Sequence, residues 1–65
     1  MLKDNLKTLR KNKGLSQEEL SVKLNVVRQT VSKWEQGISD PSTSNLFALA
    51  KLFGVSVEEL LKEVE

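Results

Sequence analysis

The chain has 65 residues, with 10 basic and 9 acidic side chains, no histidine and no cysteine. That length supports one domain at most, burying only about 60% of the surface the unfolded chain exposes, and the missing residue types exclude disulfides, Cys/His zinc sites and histidine-based acid–base catalysis. The longest apolar run, Leu46 to Ala50, is far shorter than the about 20 residues of a membrane span, and Lys3, Asp4, Lys7 and Arg10 interrupt any secretory signal, so a cytoplasmic location with no membrane partner is expected.

Five helices are legible, with no strand-like alternation. The first covers about residues 2–12, with Leu2, Leu6 and Leu9 on one face, and Gly14 ends it. The second starts at Ser16. Ser16 and Glu19 have the spacing of a capping box, and Leu15 and Leu20 that of a hydrophobic staple. Leu20 and Leu24 face the core, and Asn25 suits a left-handed turn.

The third helix runs from about Val27 to Gln36 and stops at Gly37. Val27 stands at the cap position, where valine has no acceptor for the exposed amides. Relative to Ser or Thr this costs about 1 kcal/mol. Val26 and Val31 have staple spacing. Residues 38–43 form a loop holding the only proline, Pro41. A fourth helix, capped by Ser42, Thr43 or Ser44, buries Leu46, Leu49, Ala50 and Phe53, and Gly54 ends it. The fifth begins at Ser56, with Glu59 at capping-box spacing, Val55 and Leu60 as a staple, and Leu60, Leu61 and Val64 on its apolar side.

The segment LSQEELSVKLNVVRQTVSKWEQG, from Leu15 to Gly37, carries the functional signal. Arg28, Gln29, Ser32, Lys33 and Gln36 form one polar face of the third helix, opposite an apolar face of Val27, Val31 and Trp34. Charge is distributed unevenly as well. Residues 1–33 carry eight basic side chains (Lys3, Lys7, Arg10, Lys11, Lys13, Lys23, Arg28, Lys33) against Asp4, Glu18 and Glu19, a net +5. Residues 34–65 carry Lys51 and Lys62 against six acidic residues, a net −4. This suits a first half that faces a polyanion, or two halves that each solvate their own helices.

The runs LSQEEL, RQTVSKWEQG and NLFALAKLFGVSVEEL resemble the DNA-binding domain of phage repressors, Cro proteins and the bacterial regulators of the XRE family. The resemblance extends from about Leu6 to Leu61. It implies an all-α, compact five-helix bundle of the lambda-repressor-like kind, one domain over residues 1–65, with helices 2 and 3 forming a helix-turn-helix at about 16–36. The family's docking geometry places the third helix, about 27–36, in the major groove. Homodimers then read palindromic double-stranded operators with half-sites about 34–36 Å apart.

Residue by residue, the resemblance assigns Gln17 to a phosphate contact, and Arg28, Gln29 and Lys33 to base reading, with Thr30 and Ser32 as secondary contacts. Arginine can donate twice to guanine, and glutamine can pair twice with adenine. Lys33 suits a base or a phosphate equally. Thr30 can meet a thymine methyl or merely line the helix edge. Ser16, Lys13 and Gln36 are further phosphate candidates. Arg10 and Glu35 match a structural ion pair. Trp34 is read as core, and Lys3, Lys7 and Lys11 as a solvated stripe. Phe47, Leu52, Leu61 and Val64 fit either partial burial or a dimer contact.

The chain departs from the family pattern at Ser21 (often alanine), Asn25 (often glycine) and Val27 (Ser or Thr), and Asp40 replaces a basic or polar phosphate contact. The function implied is sequence-specific DNA binding by a transcriptional regulator, a repressor, with no cofactor, no metal and no catalysis. The alternative on the same scaffold is an antitoxin whose main task is to bind a protein.

Overall fold

A computed structural model describes residues 2–62. Its helices are α1 (Leu2–Asn12), α2 (Gln17–Leu24), α3 (Arg28–Gln36), α4 (Thr43–Phe53) and α5 (Val57–Leu61), and no strand occurs among the described residues. All five helices feed one apolar cluster: Leu6 from α1, Leu20 from α2, Val31 and Trp34 from α3, Leu49 and Phe53 from α4, Leu60 from α5. The most extensive helix contacts are α2 on α3 and α1 on α3. Trp34 is buried, as its spacing from Val31 predicts.

The helix ends follow a single device. Gly14, Asn25, Gly37 and Gly54 all adopt left-handed backbone. In each case the next residue's N–H reaches back five positions: Leu15 to Arg10 O, Val26 to Ser21 O, Ile38 to Lys33 O, Val55 to Ala50 O. These bonds satisfy carbonyls that a helix end otherwise leaves unpaired. Leu15, Val26 and Val55 also pack on the core. Ile38 does not, and is 65% exposed. A Cβ at Gly37 would lie 3.1 Å from the Cδ of Lys3, close enough that the lysine stem would have to shift slightly. The Lys3 stem thus covers the end of α3, so Lys3 leaves the solvated stripe expected of it, while Lys7 and Lys11 are exposed.

At the start of α2 the full capping box forms. Ser16 Oγ accepts from Glu19 N–H at 3.0 Å, and Glu19 accepts from Ser16 N–H at 2.9 Å. The Ser16 backbone N–H first, and a bond from the Ser16 side chain second, hold the Glu19 carboxyl below its ordinary value of 4.5. A depressed folded pKa means the cap's contribution is complete above the unfolded value and disappears as pH falls through the folded one. Acidification below pH 4.5 is therefore expected to release the Ser16 amide, visible as lost exchange protection by NMR. Release well above that pH would show that the ionised Glu19 carboxylate does not hold the cap.

At α5 only half of the expected box forms. Ser56 Oγ accepts from Glu59 N–H, with no reciprocal bond to the Glu59 carboxylate. Ser42, of the three candidates, caps α4. Leu46 and Leu52 are half-buried against the core, whereas Phe47 and Leu61 are exposed. Val64 lies outside the described residues.

Val27 requires a correction. Its spacing from Val31 and Trp34 predicts the buried face of α3, but it is 66% exposed. It sits before the first helical residue, in extended backbone, and provides no cap. Val26 packs on the core in its place. Val27→Ser therefore adds an acceptor for the first-turn amides and uncovers almost no apolar surface. It should raise stability by about 1 kcal/mol in urea unfolding; an unchanged midpoint would show that solvent already satisfies those amides.

Candidate nucleic-acid interface

The interface is built around α3. Helical geometry advances about 100° per residue, so burying Val31 and Trp34 turns Ser32, Gln36, Gln29 and Lys33 to the opposite side. Arg28, Gln29, Lys33 and Gln36 are exposed, and Ser32 and Thr30 are half-buried. Arg28 and Gln29 occupy the first turn of the helix, directly after the turn that joins it to α2. Gln36 donates to Ser32 Oγ at 2.8 Å. That bond ties together two side chains of the polar face one helical turn apart.

The face is held by a junction at its flank. Arg10 Nε lies 2.6 Å from Glu35 Oε2, and Arg10 Nη2 donates to Glu35 Oε1 at 3.0 Å. Arg10 Nη1 also donates to the Leu15 carbonyl at 2.8 Å. The two side chains are only 10% and 4% exposed. The Glu35 hydrogen bonds push the guanidinium pKa above its ordinary value, against burial, which lowers it. A forked, two-bond pair is the strong form of arginine–carboxylate contact. From α2, Gln17 Nε2 donates to Glu35 Oε1 at 3.2 Å. One carboxylate thus joins α1, α2 and α3, and the Leu15 bond adds the turn between the first two.

Of the phosphate candidates, Gln17 is half-buried at the first position of α2. Ser16 is exposed, but its Oγ accepts from Glu19 N–H and its own N–H is committed to the Glu19 carboxylate. Its side chain also bonds the Glu19 carboxyl, so the cap already engages its hydroxyl. Lys13 is exposed in the turn after α1. Gln17, Lys13 and Ser16 therefore lie on the segment that enters α2, and the base-reading candidates lie on α3. Asp40 is exposed in the loop after α3.

Sequence reasoning misses two contacts. It assigns Gln17 to DNA alone, not to Glu35, and it passes over Asn5. That asparagine donates from α1 to the carbonyls of Leu60 and Lys62, tying down the end of α5. A signal exists for it: asparagine is a poor helix-interior residue, and its presence there asks for a side-chain partner. An open cleft of about 150 Å³ lies beside it, lined by Asn5, Thr8, Leu9, Val55 and Glu59, none of them on α2 or α3. Among the described residues no buried side-chain polar atom lacks a partner, no acidic or sulfur cluster is placed to hold a metal ion, and no helix is long and apolar enough to cross a membrane.

The sequence profile of the helix-turn-helix family matches residues 6–60. The chain belongs to the helix-turn-helix family of transcriptional regulators. It is 44% identical over 59 residues to a helix-turn-helix transcriptional regulator of Methanocaldococcus jannaschii, covering 91% of this chain and 89% of that one. It is 40% identical over 62 residues to the transcriptional activator BcrR of Enterococcus faecalis, covering 95% of this chain but 30% of that protein. The fold is similar to the N-terminal DNA-binding domain of SinR from Bacillus subtilis, with a TM-score of 0.86 and 34% identity over 97% of this chain and 93% of that one. Members of this family bind double-stranded DNA and regulate transcription.

Proposed function

We propose that this helix-turn-helix protein reads a specific double-stranded operator with α3 in the major groove. Arg28, Gln29 and Lys33 meet base edges, Thr30 and Ser32 make secondary contacts, and Gln17, Ser16, Lys13 and Gln36 contact the backbone. The observation that carries this reading is the exposed donor-rich edge of α3, with Arg28 and Gln29 in its first turn. Arginine and glutamine are the side chains whose two-bond geometry distinguishes guanine and adenine in that groove. Exposed cations lie on both helices' approaches, Arg28 and Lys33 on α3 and Lys13 in the turn before α2, which suits a phosphate-lined approach.

The domain works as a homodimer on a palindromic site and represses by occupying promoter DNA. BcrR is named an activator, but this chain spans under a third of it, so that role is not carried over. Selection of bound duplexes from a random pool at near-physiological salt tests the reading. The expected result is a two-fold symmetric motif with half-sites about one helical turn apart and affinity that falls steeply with added salt. Recovery of no enriched sequence would overturn it.

A further inference from the structure

We propose that Glu35, beyond neutralising Arg10, fixes which atoms of Gln17 the DNA backbone meets, and so acts as a positioning residue for the phosphate contact of α2. This rests on the DNA-binding reading. A glutamine amide has two ends of nearly equal shape, one a donor and one an acceptor, and an unrestrained side chain can present either. A carboxylate only accepts. With Gln17 Nε2 3.2 Å from Glu35 Oε1, the donor end must face inward. One Nε2 hydrogen is spent on Glu35, and the second remains to donate to a further acceptor beside it.

The rest of the junction makes that orientation firm. Arg10 grips both Glu35 oxygens and the Leu15 carbonyl. The carboxylate is therefore held in one pose and, at 4% exposure, shielded from competing water. Arg10 also cancels its charge. A lone carboxylate beside a phosphate would repel it, whereas a neutral pair presents only the oriented amide. Freed from Glu35, the amide would sample both orientations, and its second Nε2 hydrogen would no longer be held at one place beside the junction. The ordering has been completed before DNA arrives, which is how preorganisation raises affinity.

The test uses the whole chain and a duplex recovered from the random pool. Gln17→Ala should weaken binding about ten-fold in the wild-type background, the effect of one hydrogen bond to a charged group. In a Glu35→Asp background, the shorter side chain keeps its charge opposite Arg10 but withdraws from Gln17. There the same Gln17 replacement should cost less than about two-fold, because the contact is already lost. An undiminished ten-fold penalty would overturn the positioning role.

The free protein gives an independent readout. In wild type, one Gln17 Nε2 proton should resonate downfield and exchange slowly, and in Glu35→Asp it should return to the ordinary glutamine position. An ordinary Gln17 signal in wild type would also overturn the proposal. If wild type binds no duplex at all, the DNA reading fails and takes the phosphate role with it, while the amide spectrum still reports the Glu35 contact separately.

Discussion

Arg10→Met should remove about 3–5 kcal/mol of stability, against a total of only a few to about 10 kcal/mol for a domain of this length. The loss does not measure the pair's worth. It measures what stays behind: a Glu35 carboxylate at 4% exposure with its two arginine bonds gone, and a Leu15 carbonyl without its donor. The neutral Gln17 amide, left as Glu35's side-chain partner, cannot offset a full charge. Urea unfolding followed by helical circular dichroism provides the measurement. A loss under about 1 kcal/mol would mean that water reaches Glu35 and the junction is not closed. If the stranded charge is the cause, Arg10→Met combined with Glu35→Met should recover much of the loss, because a buried pair replaced by apolar groups of similar volume is often near neutral.

The contrast between what the sequence discloses and what it hides follows from the range of the interactions. Helix limits are legible because their causes are local. Ser16 and Glu19 are three residues apart, and Asn25 and Gly37 are backbone signals readable in place. Trp34 is legible because it shares a helical face with Val31. The Val27 error comes from extending that periodicity one residue too far, past the helix start, where the backbone is extended and helical spacing no longer sets direction.

The junction is only half legible. Arg10 and Glu35 are 25 residues apart, and resemblance to a family supplies their pairing. Nothing local links Gln17 to Glu35 or Asn5 to Leu60, since those contacts exist only after helices distant in sequence meet. The second capping box shows a milder limit. Spacing permits Glu59 to reach back as Glu19 does, but only the Ser56 half of the box forms.

On the proposed reading, Arg28→Ala should weaken operator binding by about 1–3 kcal/mol and relax base preference at one position in each half-site. The effect should be large because Arg28 is exposed in the first turn of α3. Its guanidinium can make a two-bond contact with guanine, and alanine can replace neither bond. Gln17→Ala should act differently. A phosphate has no sequence, so affinity should fall by a similar factor on matched and mismatched duplexes, with the selected motif unchanged. Repeating the random-pool selection with each variant separates the two roles in one experiment. An unaltered motif for Arg28→Ala would remove Arg28 from the readers, and a motif altered at one base by Gln17→Ala would move that residue from backbone to groove. The comparison is informative because the two side chains are anchored in opposite ways. Gln17 is tied to the buried junction before any ligand arrives. Arg28 stands exposed at the helix start, so its contribution must come from the bases it meets.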